Sequence, residues 1–320
     1  MGKTTMAICM LAFSSLSHAD WYSEQHSIMG TNIHIELWAE SEGQAHQGLA
    51  AVVAEMHRID NLMSSYKADS ELSRINREAA SAPMLVSDEM FELLQTAQNI
   101  SQRSHGAFDI TFASAGFLYD YRQHQKPTDA QLQHAIRHIN YRLVLLDEAK
   151  HTVYFNHPDV KIDLGGIAKG HAVDQALEKL RALGIEHALV TAGGDTGLLG
   201  DKRGKPWIVG IRDPRNRERQ AVVLPLENIA LSTSGDYERF FEEDGVRYHH
   251  ILSPKTGQSA HEVQSVSISG PLSTLTDGLS TAVFVLGVHE GMDLINRIPG
   301  YEAIIMDSER RLHYSRGLQR

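Results

Sequence analysis

Apolar and polar positions alternate with period two over residues 32–38 (NIHIELW), which predicts a half-buried strand. Over residues 41–65 the spacing becomes helical, with Leu49, Val52, Met56, Ile59 and Leu62 on one stripe. A second helix is predicted behind Ser87, a good cap, with Asp88 and Glu89 favouring its first turn. It carries Met90, Leu94, Ala97 and Ile100 and stops near Gly106. Thr128 and Gln131 form a capping-box pattern that opens a third helix. Short strands are predicted over 143–146, 152–155 and 160–164, followed by a helix over 167–183 with Val173, Leu177 and Leu180 inward. Strands at 187–191, 207–212, 221–226 and 263–269 follow, then a helix over 272–286 beside the Gly270-Pro271 break. Helices and strands intersperse, but the β-rich second half does not alternate as a doubly wound sheet would. The pattern predicts an α+β fold of mixed sheets and packed helices, one unit with room for two lobes.

The 320 residues are 42% hydrophobic and 22% charged, an ordinary globular balance. A formal net charge of -10 argues against a nucleic-acid binder, which needs a basic face for phosphates. It leaves room for a small anionic ligand held by backbone amides and one metal ion. Lys3, the apolar stretch from Met6 to Phe13 and the small-residue pattern ending at Ala19 predict an export signal over residues 1–19, with the functional domain at 20–320. A buried N-terminal helix is the alternative. Cys9, the only cysteine, sits inside the apolar stretch and not behind it, so no lipid anchor is expected. A mature chain without cysteine has no disulfide or thiol chemistry. No later stretch resembles a membrane span, and the expectation is a soluble periplasmic protein.

Chemistry concentrates at residues 163–170 (DLGGIAKG), where a predicted strand runs into a predicted helix. Gly165 and Gly166 let backbone approach a ligand, and the helix start offers free N–H groups to an anion. The spacing is neither that of a Walker loop nor GxGxxG, and a plain glycine-eased turn accounts for it equally well. Two other features are set aside. His134 and His138 stand at i, i+4, but the HExxH glutamate is missing and no third ligand is evident, so a solvated helix face is expected. Ser234 lacks the GxSxG context of a serine nucleophile.

The chain resembles the FAD:protein FMN transferase (ApbE) family through an ordered set of segments. They are MGT at 29–31, SY at 65–66, SELSRIN at 70–76, GAFD at 106–109 and DLGGIAKG at 163–170. AGGD at 192–195, SGDY at 234–237, HILSPKTG at 250–257 and DGLST at 277–281 complete it. The resemblance implies an ApbE-like, T-fold-like architecture and Mg2+-dependent transfer of FMN from FAD to a Thr or Ser hydroxyl of an acceptor protein, with AMP released. The acceptor would be an exported or membrane redox subunit. It further implies magnesium on the Ala168 carbonyl, Asp277 and Thr281, with Ser280 assisting. FAD contacts are implied at Met29, Tyr66, Ala107, Phe108, Asp109, Gly165, Lys169, His171 and Ile251. Core packing for Met29 and Phe108, a turn role for Asp109 and a first-turn role for Asp277 stand as the plain alternatives. The attacking hydroxyl needs a base; His250, with Asp236 and Tyr237 as neighbours, is the candidate, and an ordinary strand histidine is the alternative. Ile110 and Ser253 depart from the proline and aspartate of many relatives. An FAD pyrophosphatase and a periplasmic FAD-storage protein are the competing functions.

Overall fold

The structure is a computed structural model; it describes residues 19–319, apart from the side chain of Arg217. The segment 1–18, and with it nearly all of the expected export signal and Cys9, lies outside the described residues. In chain order the elements begin β1 (Asp20–Ile28), β2 (Thr31–Ala39), α1 (Glu42–Met63), α2 (Glu71–Glu78), β3 (Met84–Leu85) and α3 (Asp88–Arg103). Next come α4 (Ala113–Gly116), α5 (Asp129–Ala135), β4 (Val144–Asp147), β5 (Thr152–Phe155), α6 (Ala168–Ala182), β6 (Ala188–Ala192) and β7 (Asp195–Leu199). Then follow β8 (Trp207–Asp213), β9 (Asn216–Leu226), β10 (Ala230–Gly235), β11 (Phe240–Glu243), β12 (Val246–His249) and β13 (Val263–Gly270). α7 (Ser273–Ile295), β14 (Glu302–Asp307) and β15 (Leu312–Tyr314) complete the order.

Eight strands form one antiparallel sheet in the order β1-β2-β6-β7-β10-β13-β14-β15. Its first hairpin turns on Met29 and Gly30, both at positive φ (55° and 67°), as a two-residue turn between right-twisted strands requires. α1, α6 and α7 pack together and onto this sheet. α1 does so with the expected stripe: Leu49, Val52, Met56 and Ile59 are buried, with Met63 taking the place expected for Leu62. The β8–β9 hairpin covers Leu231 and Ile304 through Ile211. The small β3-β5-β4 sheet and α3 join the same apolar core, in which Phe91, Val144 and Phe155 are continuous with Ile33 and Val266. One main core therefore serves the α+β unit, with smaller apolar clusters under the β8–β9 hairpin and around Leu132.

Caps match their sequence signals: Ser41, Ser70 and Ser87 each accept a backbone N–H, and Thr128 and Gln131 form the full capping box. Three readings are corrected. Residues 160–164 form no strand, because their backbone bonds are taken by side chains: Asn76 pairs with both the N–H and the C=O of Ile162 at 2.8 Å, and Ser114 accepts from Lys161 N–H. His138 is not on a solvated face; a short 3₁₀ turn (Ile136–His138) rolls it inward to 8% exposure. Finally, α7 is long and apolar enough to cross a membrane. It packs against α6, β10 and β13 and buries Asp277 and Ser280, as a core helix does.

Candidate active site

The 163–170 turn is built by hydrogen bonds to Asp163. One carboxylate oxygen accepts the Gly165 N–H at 2.8 Å and the other the Ser65 hydroxyl at 2.7 Å, closing an Asx-type turn. A Cβ on Gly166 would stand 3.3 Å from both the Phe108 ring and Thr281 Oγ1, so the backbone there rests directly on those side chains. Gly170 permits the closest crossing in the site, since a Cβ there would lie 2.2 Å from the Ser273 carbonyl oxygen. Brought this near, the Gly170 N–H donates to Asp277 Oδ2 at 3.0 Å.

Lys169 is the hub. Its ammonium donates to the Gly165 carbonyl at 2.8 Å and lies 3.2 Å from Asp277 Oδ2 and 3.2 Å from Asp195 Oδ2. Asp195 opens β7 directly after the tight Gly193–Gly194 turn. Burial, and then the neighbouring Asp195, push the Asp277 carboxyl well above the ordinary range. Burial opposes the Lys169 ammonium, but the two carboxylates hold it charged. Asp195 Oδ2 is buried, with the Lys169 ammonium at ion-pair distance. Beside this group lie three hydroxyls. Ser234 Oγ is 2.8 Å from Ser280 Oγ and 3.3 Å from Thr281 Oγ1, while Ser280 donates to the Asp277 carbonyl at 2.8 Å. Carboxylate and hydroxyl oxygens from distant segments thus converge next to the turn, a donor set suited to a hard divalent cation.

His249 ends β12 and His250 follows it in the bend beyond, and the two side chains have different surroundings. His249 is a fold residue: its Nε2 donates to the Ala260 carbonyl at 2.7 Å, its Nδ1 accepts the Ile251 N–H at 3.3 Å, and burial pushes its pKa down to about 4. His250 is half-buried as a residue, and its buried Nδ1 has no hydrogen-bond partner among the described residues. Burial, then the nearby charges of Arg239 and other groups including Lys169, hold its pKa down to about 3, so the ring is neutral. Asp236 does not orient it. That carboxylate is gripped by Arg215 at 2.7 and 2.5 Å, with Arg247 at 3.5 Å.

The positions implied for FAD divide similarly. Tyr66 is 88% exposed on the loop after α1 and neighbours Tyr121, free to lie against a flat ring. Met29 holds its left-handed turn, an uncommon backbone state outside glycine that accompanies functional loops. Phe108 and Ala107 are buried, Phe108 beneath the glycine turn. Asp109 acts as a structural cap: its oxygens accept Thr111 N–H, Thr111 hydroxyl and Tyr141 N–H within 2.8 Å. His171 Nε2 pairs with Glu89 at 2.8 Å, and Ile251 belongs to the core. The residue reading omitted Asp195, Ser234 and Arg239 from the site. The GGD step marks Asp195 as a carboxylate set by a tight turn, but no motif marks Arg239, which the β11–β12 hairpin brings beside His250 through the His250 N–H bond to its carbonyl.

The ApbE family model matches residues 29–305, which hold every segment of this constellation. The FAD:protein FMN transferase of Treponema pallidum is 34% identical over 316 residues, covering 93% of this chain and 87% of that protein. The Haemophilus influenzae protein of the same name is 33% identical, covering 84% and 82%. The solved ApbE protein of Thermotoga maritima superposes with a TM-score of 0.87 at 33% identity, covering 94% of this chain and 98% of its own. The flavin transferase ApbE of Vibrio cholerae does so at 0.84 and 27% identity, covering 94% and 99%. With the family model and the relatives matched over most of its length, the chain belongs to the ApbE family.

Proposed function

We propose that the protein transfers FMN from FAD to a threonine or serine hydroxyl of an acceptor protein and releases AMP. The observation that carries this reading is the convergence of Lys169, Asp195, Asp277 and Thr281 at the glycine turn, in a chain whose relatives are named for that transfer. The acceptor hydroxyl attacks the FMN phosphorus, a new O–P bond forms, and the P–O bond to the AMP half breaks. His250 takes the hydroxyl proton: its ring is neutral, and its buried Nδ1 has no hydrogen-bond partner among the described residues. Lys169, fixed by two carboxylates, and Arg239 supply positive charge for the pyrophosphate. Tyr66 on the rim and Met29 at its strained turn suit the flavin ring.

The all-oxygen donor set, with the buried Asp195 carboxylate beside it, fits a divalent cation, with Asp277, Thr281 and the Ala168 carbonyl holding magnesium and Ser280 adjacent. When bound, the ion offsets charge on the phosphates. We place the reaction outside the cytoplasm, on the export pattern of residues 1–19, with a redox subunit as acceptor.

Incubation with FAD, magnesium and a threonine peptide in a small-residue context tests the reading. Flavin on the peptide with AMP release is expected, and chelation should abolish it while leaving the fold intact. Free FMN without labelled peptide would make the protein a pyrophosphatase; FAD bound and unchanged would make it a store.

A further inference from the structure

After the 3₁₀ turn that ends α5, the chain returns past the same turn at residues 156–160 before entering the 163–170 segment. The return sets Asp159 against both histidines of the i, i+4 pair. Its Oδ2 lies 3.3 Å from His134 Nε2 and 3.6 Å from His138 Nε2, and all three ligand atoms fall within 4.8 Å of one another. A tetrahedral ion with ligands at about 2.0–2.1 Å spaces them about 3.4 Å apart. Two edges of such a shell are therefore already present, both longer than an ordinary hydrogen bond.

His138 is 8% exposed, and its buried Nε2 has no hydrogen-bond partner among the described residues. A buried ring nitrogen left open toward a carboxylate carries a desolvation cost that a bound cation would repay. The surroundings hold the set in place. His157 stacks on His138 with centroids 4.1 Å apart, and its Nδ1 accepts the Asp159 N–H at 3.2 Å, so it is a wall and not a ligand. Ser114 accepts the Lys161 N–H on the same returning segment, at 3.1 Å.

We propose that His134, His138 and Asp159 bind one divalent transition-metal ion of the zinc class, with water completing the shell. Two imidazoles and one carboxylate select a borderline ion, unlike the all-oxygen set at Asp277. The ion fastens the end of α5 to the segment that leads into the glycine turn.

The test uses the full chain, stripped with chelator and kept in magnesium, titrated with Zn2+ by calorimetry and with Co2+ by visible absorption. One tight Zn2+ per chain, a tetrahedral Co2+ spectrum and a raised Tm are expected. His134→Ala, on an exposed helix position, and Asp159→Asn should each weaken Zn2+ binding about tenfold or more and remove the spectrum, whereas Asp277→Ala should change neither. Because 18 histidines give background binding, the comparison between chains is decisive. Coinciding wild-type and His134→Ala isotherms, or loss of the tight site in Asp277→Ala, would overturn the proposal.

Discussion

Lys169 lies between two buried carboxylates, and the cost of that arrangement falls mainly on Asp277, whose ionised form is disfavoured by burial and by Asp195. A buried carboxyl pushed this far from its ordinary range is expected to be functional, with stability given up for it. Asp277→Asn should therefore keep or raise Tm while cutting flavin transfer by on the order of a hundredfold, equivalent to about 3 kcal/mol. A large drop in Tm with transfer preserved would make Asp277 a structural residue. His250→Ala should lower kcat by about 10²–10⁴, the usual contribution of a general base. His249→Ala should instead act through the fold, since both its ring nitrogens are spent on backbone; thermal melts beside initial rates separate the two.

Among the elements, the crossing of α6 and α7 sets the site's precision. Gly170→Ala would drive a methyl into the Ser273 carbonyl, separate the helices and cost about 1–3 kcal/mol. Transfer should fall with it, because the Gly170 N–H bond to Asp277 lengthens. Asn76→Ala strips both backbone partners from Ile162, and a Tm loss corresponding to about 2 kcal/mol is expected. That residue also shows where sequence reading stops. Periodicity located β2, α1, α3 and α6, because each buries a regular stripe. Residues 160–164 carry the same apolar alternation, but a side chain eighty-odd residues upstream in sequence, Asn76, satisfies their backbone in place of a neighbouring strand. Helix α2 is short and polar and was missed, as was β10, whose serines and threonine face a hydroxyl network instead of an apolar layer. At the site, Asp277, Thr281 and Lys169 were legible from ordered motifs. The engagement of Asp109 and Asp236 elsewhere was not, because motif position says nothing about which oxygen a neighbour occupies.

For the molecule as a whole, two buried neutral histidines set a pH response. His249 and His250 are held down to about 4 and about 3, whereas the unfolded chain titrates its histidines near the ordinary value of 6.5. Between those values the unfolded state binds more protons, so their contribution to stability is present above about pH 6.5 and is lost as pH falls. Melting curves from about pH 7 to about pH 4 should show wild type losing Tm more steeply than His250→Gln; parallel slopes would contradict the assignment.

The hairpin of β11 and β12 turns on Asp244 and Gly245, both at positive φ (52° and 77°), the tightest connection available. Its length acts as a reading frame for the imidazole that follows. With β11 fixed, losing one codon at this turn advances the strand and presents Ile251 where His250 stood. Gaining one retards it and presents His249, another imidazole. Insertions here should thus be better tolerated by the reaction than deletions, an asymmetry that arises because two histidines stand side by side.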